Sequence, residues 1–229
     1  MTLLEAIDQR HSIRAYDGQI LSMTHQTSLQ RLIDQANADG RLHMQLVCDE
    51  TVAFTSLLAR YGSFRGVANY LVMAGEDTAD LDERIGYYGE RIVLEAECMG
   101  LNTCWAGLTY RKVPGTYHLE PGEKIAAYIA LGYGIGKARE HRRKTVEQLS
   151  NADSTTPEWF RRGIEAVVKA PTAVNQQKFH FAFLPSASGE APRIKATRGI
   201  SLIGYTQMDL GIAKCHFEIG AGTRDFIWC

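Results

Sequence analysis

The stretch Asp80–Gly100 constrains this chain more than any other part of it. Ile85, Tyr88, Ile92, Ala96 and Met99 recur at helical spacing, so a helix here carries a continuous apolar stripe that must be covered. Gly100 stands where such a helix needs its left-handed C-terminal cap. The pattern returns late in the chain: residues 85–96 align with residues 210–221, with Gly86 on Gly211, Ala96 on Ala221 and apolar positions agreeing between them. A helix-then-strand pattern at 29–48 echoes another at 158–183. The identities are few, and the expectation of an internal duplication rests on pattern.

Around that helix the chain reads as an alternation of short elements. A first helix carries Leu3, Leu4 and Ile7 and ends near Arg10; a second fits Thr24–Ala38, with Leu29, Leu32, Ile33 and Ala36 on one face. Strands are expected at Leu42–Cys48, Val67–Ala74, Thr103–Leu108, Lys124–Gly132 and Lys178–Leu184, and helices at Glu158–Ala170 and Gln207–Ala221. Pro171 should end the first of these two helices. The polar, turn-rich residues after Ser150 form the best linker. The expected organisation is a first part, 1–150, a linker, 151–156, and a second part, 157–229.

Charge and cysteine usage narrow the function classes. Lys and Arg number 25 against 26 Asp and Glu, so no bulk field exists to hold a nucleic acid or an anionic membrane. Five scattered cysteines without CxxC spacing argue against a disulfide framework or a structural zinc site. No metal-spaced His cluster is evident, and no apolar run approaches the ~18 residues that span a bilayer. The first ten residues lack a signal-peptide apolar core. The expectation is a cytoplasmic protein acting on small molecules, with no metal.

Four segments could carry chemistry. Arg10, Ser12 and Arg14 offer two guanidinium forks and a hydroxyl within five residues, a set suited to phosphate, although such an Arg pair is more often a solvated turn. Residues 170–177 (Ala-Pro-Thr-Ala-Val-Asn-Gln-Gln) combine small residues, amides and a Pro-set turn that lets backbone approach a flat ligand; the bland alternative is a polar connector. In residues 100–108, Ala106 and Gly107 would permit backbone contact with a ligand edge, or Trp105 is simply core filler. The basic run Lys137, Arg139, His141, Arg142, Arg143 and Lys144 is otherwise a solvated loop. Gly132, Gly134 and Gly136 imitate a nucleotide-binding glycine loop, but no apolar helix follows and the acidic partner is missing, so they read as a bend.

Together these segments resemble the nitroreductase family of FMN-dependent oxidoreductases. The opening AIDQRHSIRAYD is similar to that family's flavin-phosphate motif, and APTAVNQQKFHF to its Pro-Ser-x-x-Asn-x-Gln segment, with Thr172 for Ser and Lys178-Phe179 for Pro-Trp. ERIVLEAECMGLNTCWAG is similar to its central helix and following strand, and ALGYGIGKAREHRRKTVEQL to its closing strand and basic tail. One departure stands out. The Asn-x-Gln segment follows the basic tail instead of lying about thirty residues after Arg-x-Ser. The family's ordinary members are homodimers that build each flavin site from both subunits, so the resemblance implies a fused pair, an internal pseudo-dimer with one FMN between the two halves.

The implied fold is α+β, with antiparallel or mixed central sheets flanked by helices. The resemblance places Arg10, His11, Ser12 and Arg14 at the FMN phosphate and ribityl end, with Arg143, or Arg142 if the register slips, as the tail cation. It places Pro171, Thr172, Ala173, Asn175 and Gln177 against the isoalloxazine and ribityl from the other half. Trp105, Ala106 and Gly107 line the ring, with a backbone N–H near N5. The implied activity is ping-pong hydride transfer from NADH or NADPH through flavin N5 to a nitroaromatic, quinone or enone acceptor, with no protein nucleophile. A flavin store or sensor without turnover, and a flavin-free interaction protein, are the alternatives. The chain is expected to be a monomer with an internal pseudo-dimer, capable of further oligomerisation.

Overall fold

The computed structural model describes residues 1–55, 62–135, 141–186, 190–223 and 225–229. Its elements run α1 (Leu3–Gln9), α2 (Met23–Gly40), β1 (Gln45–Cys48), β2 (Asn69–Glu76), α3 (Leu81–Cys98), β3 (Asn102–Ala106), β4 (Glu123–Gly132), α4 (Val146–Leu149), α5 (Glu158–Val167), a 3₁₀ turn (Ala173–Asn175), β5 (Phe179–Leu184), β6 (Arg193–Arg198), α6 (Thr206–Ala221) and β7 (Ile227–Trp228). Among the described residues no helix is long and apolar enough to cross a membrane. Lys137, Arg139 and Gly136 lie outside the described residues.

Local chemistry sets the helix ends. Thr2 and Glu5 form a reciprocal capping box at α1, and Ser22 accepts from His25 N–H at the start of α2. Gly100 closes α3 with φ +78°, the left-handed conformation expected of it, whereas α2 ends on a non-glycine, Arg41, at φ 50°. The expected Glu158–Ala170 helix stops at Val167, and residues 168–170 form a turn before Pro171, because proline disfavours helical backbone in the residue preceding it.

The described strands form two sheets, and their mainly antiparallel pairing together with the helices is the α+β class expected. The first is antiparallel in the order β1-β2-β4-β3, and the second, β5-β6-β7, pairs β5 with β6 antiparallel and β6 with β7 parallel. Three elements have no counterpart in the sequence reading: α4, β6 and β7. Strand β6 fully buries Ile194 and half-buries Ala196 among charged neighbours, so its apolar alternation is too thin to see.

Helices α3 and α6 cross at the centre, and α5 packs on α6. One hydrophobic cluster joins Ile85, Ile92 and Ala96 of α3 to Ala213 and Phe217 of α6, Phe160 and Ile164 of α5, and Phe181 of β5. That cluster draws on residues from both sides of 151–156. The connecting segment is itself docked: Asn151 N–H donates to the Phe181 carbonyl at 3.2 Å, and its side chain accepts from Phe183 N–H at 2.8 Å. A second cluster covers the other face of the first sheet, where Tyr70 and Tyr128 stack with Phe54 and Phe64 nearby.

Candidate functional site

The segment following α1 runs extended along the edge of the first sheet. Ile13 N–H donates to the Thr103 carbonyl at 3.1 Å, Ser12 bridges Thr103, and the Tyr16 hydroxyl donates to the Ile13 carbonyl at 2.6 Å. Side chains of an extended chain alternate, so Arg10, Ser12 and Arg14 fall on one side. They line a cavity of about 440 Å³ whose opposite wall is Val168–Thr172 with Asn175, and to which His11, His141 and Arg143 also contribute.

This cavity is cationic. Among the described residues neither Arg14 nor Arg143 has a carboxylate within ion-pair distance, whereas Lys169 pairs with Asp8. Arg10 is 8% exposed, its Nε lies 3.8 Å from Glu90 Oε1, and that nitrogen makes no hydrogen bond to any of the described residues. A buried guanidinium nitrogen without a full partner is costly, and two further unpaired guanidinium groups face the same space. The residues present fit a multiply charged anion, phosphate above all.

Arg143 is held by the second segment. Asn175 Nδ2 and Gln177 Nε2 both donate to the Arg142 carbonyl, at 2.8 and 2.9 Å. Lys144 N–H donates to Gln177 Oε1 at 2.8 Å, and Lys144 Nζ donates to the Gln177 carbonyl at 2.6 Å. The sequence assigned Gln177 to a ligand; here its buried amide clamps the basic tail and lines neither cavity. Arg142 serves through its carbonyl, and Arg143 is the tail residue that lines the cationic cavity. Val174, Asn175 and Gln177 all have positive φ (46°, 57° and 43°), a concentration of left-handed, non-glycine backbone that costs about 1–3 kcal/mol per residue and clusters at binding sites.

A second cavity, about 400 Å³, shares Ser12, Arg14, Pro171 and Thr172 with the first. Its walls are largely apolar: Trp105 and Ala127 from the first sheet, Ala173 and Val174 from the turn, Met208 and Ile212 from α6, with Gly107 at the edge. Tyr205 also lines it, packed so closely on Gly107 that a Cβ there would lie 2.5 Å from the tyrosine Cζ. Ala106 is buried in the cluster on the opposite face of the sheet and lines neither cavity, as strand alternation from Trp105 requires. Leu108, Val174 and Ile203 line the same cavity while remaining more than half exposed, which makes its mouth apolar.

Asp209 is the carboxylate in this second wall. It accepts from Ala173 N–H at 2.9 Å and from Gln176 Nε2 at 2.7 Å, so α6 fixes the turn that separates the cavities. Burial pushes its carboxyl up to about 6, against the lowering effect of those two hydrogen bonds. Sequence reasoning missed Asp209, Tyr205 and Lys169. Lys169 adjoins the Ala170-Pro171 motif and could have been included on position alone; the other two lie at the start of α6, where no local signal points to a ligand. A wider groove of about 820 Å³ lies between α2 and β1, but it is open, mixed in charge and shares no lining residue with these cavities.

The chain is similar to known proteins over nearly all of its length. A family model described as "Putative TM nitroreductase" matches residues 2–221. A crystal structure described as a putative nitroreductase from Thermotoga maritima aligns with TM-score 0.59 and 21% identity over 96% of this chain and 83% of the other. One described as a putative nitroreductase in complex with FMN, from Desulfovibrio desulfuricans, aligns with TM-score 0.51 and 22% identity over 69% of this chain and 99% of the other. No curated protein matches the sequence. At these identities the structural likeness is one of fold.

Proposed function

Because the chain belongs to the nitroreductase family described by that model, we propose that it is an FMN-dependent NAD(P)H oxidoreductase with one flavin site shared by its two halves. The observation that carries this reading is the common wall of the two cavities. Ser12, Arg14, Pro171 and Thr172 border a cationic space on one side and a largely apolar space on the other. A ligand spanning both is anionic at one end and largely apolar at the other, which suits the phosphate and ring of FMN.

Arg14 and Arg143 would hold the phosphate as charge-assisted donors, with Arg10 and the Ser12 hydroxyl beside them. Pro171, Thr172 and Ala173 would confine the ribityl and the ring edge from the second half. Trp105, Met208 and Ile212 would exclude water from the ring, and Gly107 at the edge of that wall leaves room for the Tyr205 ring that packs on it. When bound, the flavin supplies hydride acceptance and donation at N5, between NADH or NADPH and an electron acceptor. The apolar mouth formed by Leu108, Val174 and Ile203 suits a planar acceptor such as a quinone, nitroaromatic or enone. Asp209 lies in the ring wall, where its hydrogen bonds keep the separating turn in place.

The α3–α6 crossing supports the internal pseudo-dimer. Each helix receives the other on a glycine at equivalent positions, as a two-fold-related pair would. The test is flavin absorbance and stoichiometry of the purified protein, followed by steady-state oxidation of NADH or NADPH with a quinone. One FMN per chain is expected. Two per chain would end the shared-site reading, and binding without turnover would leave a flavin carrier instead of an enzyme.

A further inference from the structure

Glu90 is completely buried in α3, and its polar neighbours come from the segment after α1, from β3 and from α6. Trp105 Nε1–H donates to Oε2 at 2.8 Å, Arg10 Nε lies 3.8 Å from Oε1, and His216 Nε2 lies 2.9 Å from the same oxygen. His216 is also completely buried, with Nδ1 3.0 Å from the Ala166 carbonyl. A carbonyl oxygen only accepts, so Nδ1 carries a proton, a second proton lies between Nε2 and Glu90 Oε1, and the ring runs as a fixed strut from α5 through α6 to Glu90. Two of the carboxylate's neighbours face the cavities: Arg10 the cationic one, Trp105 the apolar one.

The indole has little freedom to choose another place. It rests on Gly89, where a Cβ would lie 2.6 Å from Cη2, and its N–H is taken by the very next residue. Adjacent positions of α3 therefore fix the plane of the ring and its rotation within that plane. A buried carboxylate pays a desolvation penalty of several kcal/mol, which hydrophobic filler would avoid. Here that group ties the two ends of the site together.

We propose that Glu90 is a positioning residue for the shared site, holding Trp105 and Arg10 in their cavity-facing places, with His216 bracing it from the second half. The proposal rests on the FMN reading above. Loss of a buried acid beside a phosphate site should not by itself weaken anion binding, so a loss of affinity reports positioning.

The test uses the full chain and FMN, read by quenching of flavin fluorescence, with thermal melts recorded in parallel. Glu90→Met removes both acceptor oxygens while keeping the length of the side chain, and Kd should rise about ten-fold or more, the loss expected for a buried charge-assisted hydrogen bond. Glu90→Gln keeps an acceptor for the indole and should recover most of the affinity. If both variants tighten binding, or both bind within two-fold of wild type while melting lower, Glu90 does not position the site. A second readout needs no variant: in the FMN-free wild-type protein the Trp105 indole N–H should already exchange slowly with deuterium. Exchange as fast as that of a free indole before FMN is added would overturn the proposal. If wild type fails to bind FMN, the functional reading fails, and indole exchange still decides whether the network is fixed.

Discussion

Gly86 and Gly211 occupy reciprocal positions where α3 crosses α6. A Cβ on Gly86 would lie 2.1 Å from the Met208 carbonyl oxygen and 3.0 Å from Ile212 N. A Cβ on Gly211 would lie 2.0 Å from the Glu83 carbonyl oxygen and 2.8 Å from Tyr87 N. In each case the obstacles sit three residues before and one residue after the opposing glycine. The two backbones touch through the same geometry read in both directions, at the two positions that the sequence alignment superimposed.

Alanine at either position should therefore be severely destabilising. The obstruction is backbone, which cannot rotate away as a side chain can, so the overpacking cost exceeds the ~1 kcal/mol that alanine gains over glycine in helix propensity. A net loss of about 3 kcal/mol is expected for Gly86→Ala or Gly211→Ala, measured by urea denaturation. Gly89→Ala meets only the ends of the Met73 and Trp105 side chains, 2.6 Å away, and should cost less while disturbing the indole.

Arg14→Ala and Arg143→Ala should each weaken FMN binding by about 1.5–3 kcal/mol, roughly ten- to a hundred-fold in Kd. Neither arginine has an ion-pair partner among the described residues, so neither substitution strands a buried carboxylate. Arg10→Ala removes a buried cation 3.8 Å from Glu90, leaving that buried acid with Trp105 and His216 alone. Melting temperature in the absence of flavin separates these cases: nearly unchanged for the first two, clearly lowered for Arg10→Ala.

Gln177→Ala removes the amide that accepts from Lys144 N–H and donates to the Arg142 carbonyl. A stability loss of about 1–3 kcal/mol follows from leaving those groups unpaired. FMN affinity should fall as well, although Gln177 lines neither cavity, because the basic tail carrying Arg143 is released. Titration of flavin fluorescence at two ionic strengths should show a shallower salt dependence than wild type.

Asp209 gives the protein a pH dependence of definite sign. Its carboxyl is pushed from 3.8 up to about 6 in the folded chain, so the folded state favours the protonated form. The contribution is fully present below the unfolded value and is lost as pH rises through about 6, amounting to up to about 3 kcal/mol. Stability of the flavin-free wild type relative to Asp209→Asn should fall across pH 4 to pH 7 by that order. A difference independent of pH across this window would show that the carboxyl titrates normally.

The long helix, its glycine-marked echo, the motif at 10–14 and the Pro-Thr-x-x-Asn turn were all legible in the sequence, because each depends on residues close together in the chain. Apolar spacing dictates a stripe, a left-handed cap needs glycine, and a run of guanidinium groups needs an anion or solvent. Tertiary structure decided which of these residues meet. Ala106 faces away from the cavities because the sheet fixes which side of β3 its partners cover. Gln177 clamps a tail some thirty residues earlier in the chain. Glu90 would sit on the polar side of an isolated helix; it is buried because α3 is covered on more than one side, with α6 bringing His216 to meet it. Spacing along a helix or strand fixes a side chain's direction relative to its own element. The identity of the neighbour it then finds is set by packing between elements distant in sequence, and the shared wall of the two cavities exists only at that level.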